Sequence, residues 1–284
     1  MTDQPISPLL QIEDLSVEYH RKGLRRGTFR AVAGVSLQIG PGETFGLVGE
    51  SGSGKTTIGR AVLGLAPVSH GRVLLSGEDI SHAGRRRRRQ LSSDLQVVFQ
   101  DPYSSLNPSM RVGEILAEPL AARGVPRREA RERVRRLLDD VHLPQDATDR
   151  LPREFSGGQR QRVAIARALA LEPKLIVCDE PVSALDLTTQ TKVLDLLLSI
   201  QIRTGVSYLF ISHDLDVVRH LSHRIAVIRR GEIVEQGDAE QVAGRPVHPY
   251  TQRLLLAAPV IDPAGQAERR EQRRALATRG GQDG

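Results

Sequence analysis

Residues 44–57 read TFGLVGESGSGKTT. The first five, TFGLV, form a short apolar run bounded by glycine, the pattern of a buried strand. Residues 49–57, GESGSGKTT, match G-x-x-x-x-G-K-[ST], and the segment from Thr56 to Leu65 reads as a helix. Strand, glycine-rich loop and helix in that order form the setting in which this spacing cradles phosphate. The glycines let the backbone wrap closely, so that successive N–H groups point at phosphate oxygens. The helix adds the positive end of its dipole. Gly49, Glu50, Ser51, Gly52, Ser53, Gly54, Lys55, Thr56 and Thr57 are therefore the candidate phosphate-binding residues. Lys55 would neutralise the terminal phosphates, and Thr56 would offer its hydroxyl to Mg²⁺.

Outward from this stretch the chain alternates strands and helices. Residues 10–19 and 31–39 partly alternate apolar and polar, which predicts two strands joined by a Gly/Arg-rich loop over 20–30. Residues 72–75 and 95–99 read as further strands. From about 111 to 171 the pattern turns helical; Val134, Leu137, Leu138 and Val141 share one helical face, and a helix over 159–171 ends near Pro173. Strands return at 175–178 and 207–211, separated by a helix over about 188–203, and 224–236 resembles a hairpin. Uniformly apolar strands between helices predict an α/β domain around a largely parallel sheet, with the helical block, about 101–171, inserted. The segment 266–284 is polar and expected to be disordered.

Two more strand ends carry candidate chemistry. LIVCDE, 175–180, is an apolar run closed by two acids. Asp179 can hold the Mg²⁺ shell, and Glu180 can polarise a water for attack on a γ-phosphate; a surface acid pair after a strand is the plainer alternative. YLFIS, 208–212, is followed by His213, which can hydrogen-bond the same phosphate.

Composition narrows the classes. Aromatics make up 3% of the 284 residues and Trp is absent, so the core must be aliphatic. A single cysteine, Cys178, excludes an internal disulfide and a cysteine-ligated zinc or iron–sulfur site within one chain. No run approaches the ~20 apolar residues of a spanning helix, and the N-terminus lacks the signal-peptide pattern. The expectation is a cytoplasmic protein that meets a membrane through a partner. The net charge of +6 permits nucleic acid or an anionic surface. The five arginines Arg85–Arg89 read as a solvated turn, because no aromatics interleave for base stacking.

The residues FSGGQRQRVAIARAL, 155–169, resemble the LSGGQ signature of the ATP-binding-cassette (ABC) ATPases, with Phe155 in place of the usual leucine. Gln100 in VFQDP looks like the glutamine of the family's Q-loop, and SALD, 183–186, resembles the D-loop, which ends at Asp186. Tyr19 stands where the family places an aromatic against adenine, with Phe29 as its rival. The resemblance covers residues 10–258. It implies a phosphate-loop NTPase (RecA-like) core with an N-terminal antiparallel β subdomain and an inserted α-helical subdomain. It also implies ATP and Mg²⁺, with Lys55, Glu180 and His213 catalytic and Thr56, Gln100 and Asp179 around the metal. Two cassettes would meet head to tail, so that Ser156, Gly157, Gly158 and Gln159 of one contact the nucleotide of the other.

Residues 98–120 and 248–259 resemble, more narrowly, the ATPases of oligopeptide/dipeptide importers, with a characteristic C-terminal region at 231–265. REFSGGQRQR looks like the second of the two ATPases such systems carry. Some of these relatives hold an iron–sulfur cluster near the C-terminus; this chain has no cysteines there, so none is expected. The resemblance implies a peripheral ATPase on the cytoplasmic face of the cell membrane. Its partners would be two permease subunits, a second ATPase (identical or sister) and an external solute-binding protein. The alternative is a soluble ABC ATPase acting on nucleic acid or ribosomes; one cassette without a long coiled-coil insertion argues against it.

Overall fold

The computed structural model describes residues 7–21, 27–101 and 105–257. Its strands are β1 (Leu10–Arg21), β2 (Gly27–Ile39), β3 (Thr44–Val48), β4 (His70–Leu75), β5 (Glu78–Asp79), β6 (Leu95–Val98), β7 (Leu175–Asp179), β8 (Ser207–Ser212), β9 (Arg224–Arg229) and β10 (Glu232–Asp238). Its helices are α1 (Lys55–Leu63), α2 (Arg85–Leu91), α3 (Val112–Ala122), α4 (Arg127–Asp140), α5 (Gly157–Leu169), α6 (Leu187–Thr204), α7 (Leu215–Leu221), α8 (Ala239–Gly244) and α9 (Pro249–Ala257).

The strands make two sheets. One is antiparallel, in the order β2-β1-β4-β5. The other runs β10-β9-β3-β8-β7-β6, parallel throughout except for the β9–β10 hairpin at its edge. The α/β class, the antiparallel subdomain and the helical insertion are as expected.

Why the central strands lack polar alternation is visible in the packing. In β7, Leu175 and Val177 join one apolar cluster while Ile176 and Cys178 join the other; in β8, Leu209 and Ile211 oppose Tyr208 and Phe210 in the same way. Both faces are covered, so every position is apolar. Burial pushes the Cys178 thiol well above its ordinary range, which leaves it a core residue. Val134, Leu137, Leu138 and Val141 are buried in the helical cluster, as their spacing predicts.

Three expectations need correction. The predicted loop over 20–30 is shorter: β1 and β2 run on as a hairpin arm in which Tyr19 pairs with Phe29, and residues 22–26 lie outside the described ones. The α1 helix stops at Leu63 rather than Leu65, because Gly64 turns left-handed at φ 72° and its N–H closes on Ala61. The arginine run is a helix and not a turn. Arginine is a good helix former, and its long stem lets a charged head find partners. The half-buried Arg88 donates to the Val62 carbonyl (3.0 Å) and to that of Ile80, and Arg87 pairs with Glu78. Arg123 donates to the Arg89 and Gln90 carbonyls at the helix end (2.8 and 2.9 Å).

The parallel register places the functional loops. Val48 pairs with Ser212, and Asp179 pairs with Ile211. The three strands that end in the candidate motifs thus finish side by side, the edge at which open α/β sheets take ligands.

Candidate active site

The loop after β3 turns into α1 at Gly54, which holds φ 110°. A Cβ there would sit 2.6 Å from the Ala31 carbonyl oxygen, so both dihedral and space demand glycine. No side chain caps this helix. Its first N–H groups are left to an anion.

Lys55 is 4% exposed. Its Nζ donates to the Gly49 and Glu50 carbonyls (2.8 and 2.9 Å) and lies 4.0 Å from Glu180 Oε1. Burial pushes the ammonium below the usual lysine range, and Glu180, Asp179 and Glu50 pull it partly back. Thr56 Oγ1 donates to Asp179 Oδ1 at 2.9 Å. Burial raises the Asp179 carboxyl above its ordinary range, against the lowering effect of that hydrogen bond.

Glu180 is the hub. It follows β7 in a left-handed conformation, φ 49°, uncommon for a residue with a Cβ. Its N–H is pinned to the Ile211 carbonyl at 2.9 Å. Its Oε2 lies 3.1 Å from His213 Nδ1 and accepts from Gln100 Nε2 at 3.4 Å. Four separate segments therefore place Lys55, Gln100, Glu180 and His213 around one point.

A pocket of about 560 Å³ opens there. Ser51, Gly52, Gly54, Lys55, Thr56 and Thr57 form one wall, Gln100, Glu180 and His213 another, and Tyr19, Phe29 and Ala31 a third. The two rival aromatics are cross-strand partners, so both face the pocket. Thr56 and Asp179 supply hydroxyl and carboxylate oxygens, hard donors that suit Mg²⁺, an ion that takes its other ligands from phosphates and water. Among the described residues no group of three or more His, Cys, Asp or Glu could hold a metal alone. The fit is to an ion that arrives with its phosphates.

Other expected residues lie elsewhere. Gly49, Glu50, Ser53, Ser156, Gly157, Gly158, Gln159 and Asp186 do not line this pocket. Ser156 caps α5: its Oγ accepts from the Gln159 N–H (3.3 Å) while Gln159 Oε1 accepts from the Ser156 N–H (2.9 Å). Asp186 caps α6, accepting from the Thr189 N–H and hydroxyl (3.0 and 2.7 Å). Gly157 and Gly158 pack against Leu185 and Thr189, so SGGQ and SALD share one surface patch. Sequence reading missed Ala31, which backs Gly54, and the Tyr250 hydroxyl, which accepts from the Glu50 N–H at 3.3 Å. Both contacts join residues distant in sequence and leave no local pattern.

Comparison with known proteins agrees with this architecture. The family model described as ABC transporter matches residues 32–183, more than half of the chain, and that of the oligopeptide/dipeptide transporter C-terminal region matches 234–282. The oligopeptide transport ATP-binding protein OppD of Mycobacterium tuberculosis is 52% identical over 85% of this chain, which spans only 40% of that protein's length. OppF of Lactococcus lactis is 46% identical over 94% of this chain and 86% of its own. Among solved structures, cbiO1 of Clostridium perfringens, part of the cbiONQ complex, superposes with a TM-score of 0.74 at 28% identity, over 84% of this chain and 91% of its own. A dimeric ATP-binding cassette, MJ0796, bound to ADP and Pi, gives 0.71 at 29%, over 81% and 98%. With the ABC transporter model matched over more than half of the chain, this chain belongs to the ABC transporter family.

Proposed function

We propose that the chain is the ATP-hydrolysing motor of an ABC importer, with peptides or a related small solute as cargo. The convergence of Lys55, Gln100 and His213 on Glu180 beside the Thr56–Asp179 pair carries this reading. The loop N–H groups and Lys55 hold the β- and γ-phosphates, and Tyr19 and Phe29 offer faces for adenine. Glu180 orients a water and takes its proton on a carboxylate oxygen as the water oxygen attacks the γ-phosphorus and the bond to the β-phosphate oxygen breaks. His213 hydrogen-bonds the γ-phosphate and keeps Glu180 aimed. When bound at Thr56, Asp179 and Gln100, Mg²⁺ would offset charge on the transferring phosphoryl group.

Residues 10–258 form the cassette in this reading, with the helical insertion about 101–171, and the part of it around Gln100–Leu120 docks on the permease subunits. The region 231–265 is the C-terminal element of peptide importers. The names of OppD and OppF support peptide cargo, and the dimeric MJ0796 supports pairing with a second ATPase, identical or sister. Ser156–Gln159 and Asp186 would then complete the partner's site. An external solute-binding protein would deliver cargo through the permeases. No helix among the described residues is long and apolar enough to cross a membrane, which suits a peripheral subunit on the cytoplasmic face.

Glu180→Gln tests the mechanism. ATP binding should persist while turnover falls by about a thousandfold, the scale of losing a positioned base. Near-normal hydrolysis would remove Glu180 from that role.

A further inference from the structure

The phosphate loop has a second side. Glu50, Ser51, Gly52 and Ser53 wall a separate cleft of about 340 Å³, completed by Arg229, Arg230, Tyr250 and Arg253. Ser51 and Gly52 line both this cleft and the nucleotide pocket, so one strip of backbone divides them.

Charge and hydrogen bonding point to an anion. Three guanidiniums face one carboxylate, that of Glu50. None of the three arginines forms an ion pair among the described residues; Arg229 instead lies 5.0 Å from the centre of the Tyr250 ring. The forked guanidinium donors suit a tetrahedral oxyanion.

The cleft is also mechanically tied to the loop. Tyr250 is 4% exposed and its hydroxyl accepts from the Glu50 N–H at 3.3 Å. In the β9–β10 turn, the Gly231 N–H donates to the Ser53 carbonyl at 2.8 Å. The start of α9 is fixed in turn, because Glu235 accepts from the Val247 and His248 N–H groups (2.7 and 3.1 Å) and His248 Nδ1 accepts from the Tyr250 N–H (3.1 Å).

We propose that this cleft is a second anion site, built for a phosphate dianion by Arg229, Arg230 and Arg253, and that its occupancy weakens nucleotide binding through the shared loop. The coupling rests on the nucleotide reading of the inner pocket; the binding does not. Phosphate drawn to the arginines would shift Tyr250 and the β9–β10 turn, whose hydrogen bonds to Glu50 and Ser53 hold the loop. The C-terminal helix would then report the product of hydrolysis to the loop that performs it.

The experiment is calorimetric titration of inorganic phosphate into the full chain saturated with the non-hydrolysable ATP analogue adenylyl imidodiphosphate, at constant ionic strength. The expected result is one site of millimolar affinity, weakened about tenfold or more in Arg230→Ala/Arg253→Ala, whose exposed side chains leave the fold intact. Phosphate should raise the dissociation constant of the analogue in the wild type and not in that double variant. Tyr250→Phe should keep phosphate binding and lose the effect on the analogue. Vesicles carrying phosphatidic acid, tested by flotation, should not bind at the same ionic strength. No phosphate binding, binding unchanged in the double variant, or capture by vesicles in place of free phosphate would each overturn the proposal. Failure of the analogue itself to bind would instead refute the nucleotide reading.

Discussion

Two helices in this chain begin at glycine-rich stretches, and they differ in what the chain provides around their N-termini. The α1 terminus is uncapped, begins from a left-handed glycine, and lies inside a pocket whose walls come from β1, β2 and the loops after β6, β7 and β8. The α5 terminus is closed by its own Ser156–Gln159 capping box and packs against Leu185 and Thr189 around the start of α6. An open terminus needs a ligand to satisfy it, whereas a capped one is stable as it stands. In the proposed mechanism the first is the finished site for phosphate, and the second is half of one that a second cassette completes.

The largest expected effect that would break this contrast is at Lys55. Lys55→Ala removes the buried cation of the finished site, and ATP affinity should fall by about 2–3 kcal/mol, roughly 30- to 150-fold, by calorimetry on the isolated chain. Unchanged affinity would mean that α1 is not the receptor.

A matched pair of glycine substitutions sharpens the contrast. Gly54→Ala forces a Cβ onto φ 110° and to within 2.6 Å of the Ala31 oxygen. It should destabilise the isolated chain by about 1–3 kcal/mol. Gly157→Ala meets only Leu185 Cδ2 at 3.5 Å, an ordinary contact. It should leave the unfolding midpoint nearly unchanged yet abolish any dependence of turnover on pairing with a second cassette. Equal melting temperatures for the two variants would erase the distinction.

The smallest effect belongs to Ser156→Ala. It removes a cap, so the thermal midpoint should drop by the equivalent of about 1 kcal/mol, while nucleotide binding by the isolated chain stays as it was. A loss of that binding would place the signature in the chain's own pocket.

How much was legible follows the same division. GESGSGKTT could be read because its pattern lies in nine contiguous residues, and a glycine at position 54 is a local requirement of a local turn. The buried strands were legible because two covered faces force unbroken apolar runs. Arg85–Arg89 was misread because helix or turn there depends on contacts outside the run, above all the Val62 carbonyl 26 positions from Arg88. Tyr250 carried no signal for the same reason: its partner, the Glu50 N–H, lies 200 positions away.

The sequence alone therefore determined the make-up of each segment: a glycine-rich loop between strand and helix, acids and a histidine at strand ends, a capped glycine pair on a helix. Tertiary structure decided which of these share a site. The in-register ends of β3, β7 and β8 bring Lys55, Glu180 and His213 together. They leave Ser156 facing outward, because its helix belongs to the inserted block on the other side of the sheet. Local backbone preferences act over a few residues and can be read from a string; proximity between distant segments is set by sheet register and two-sided burial, which exist only in the folded chain.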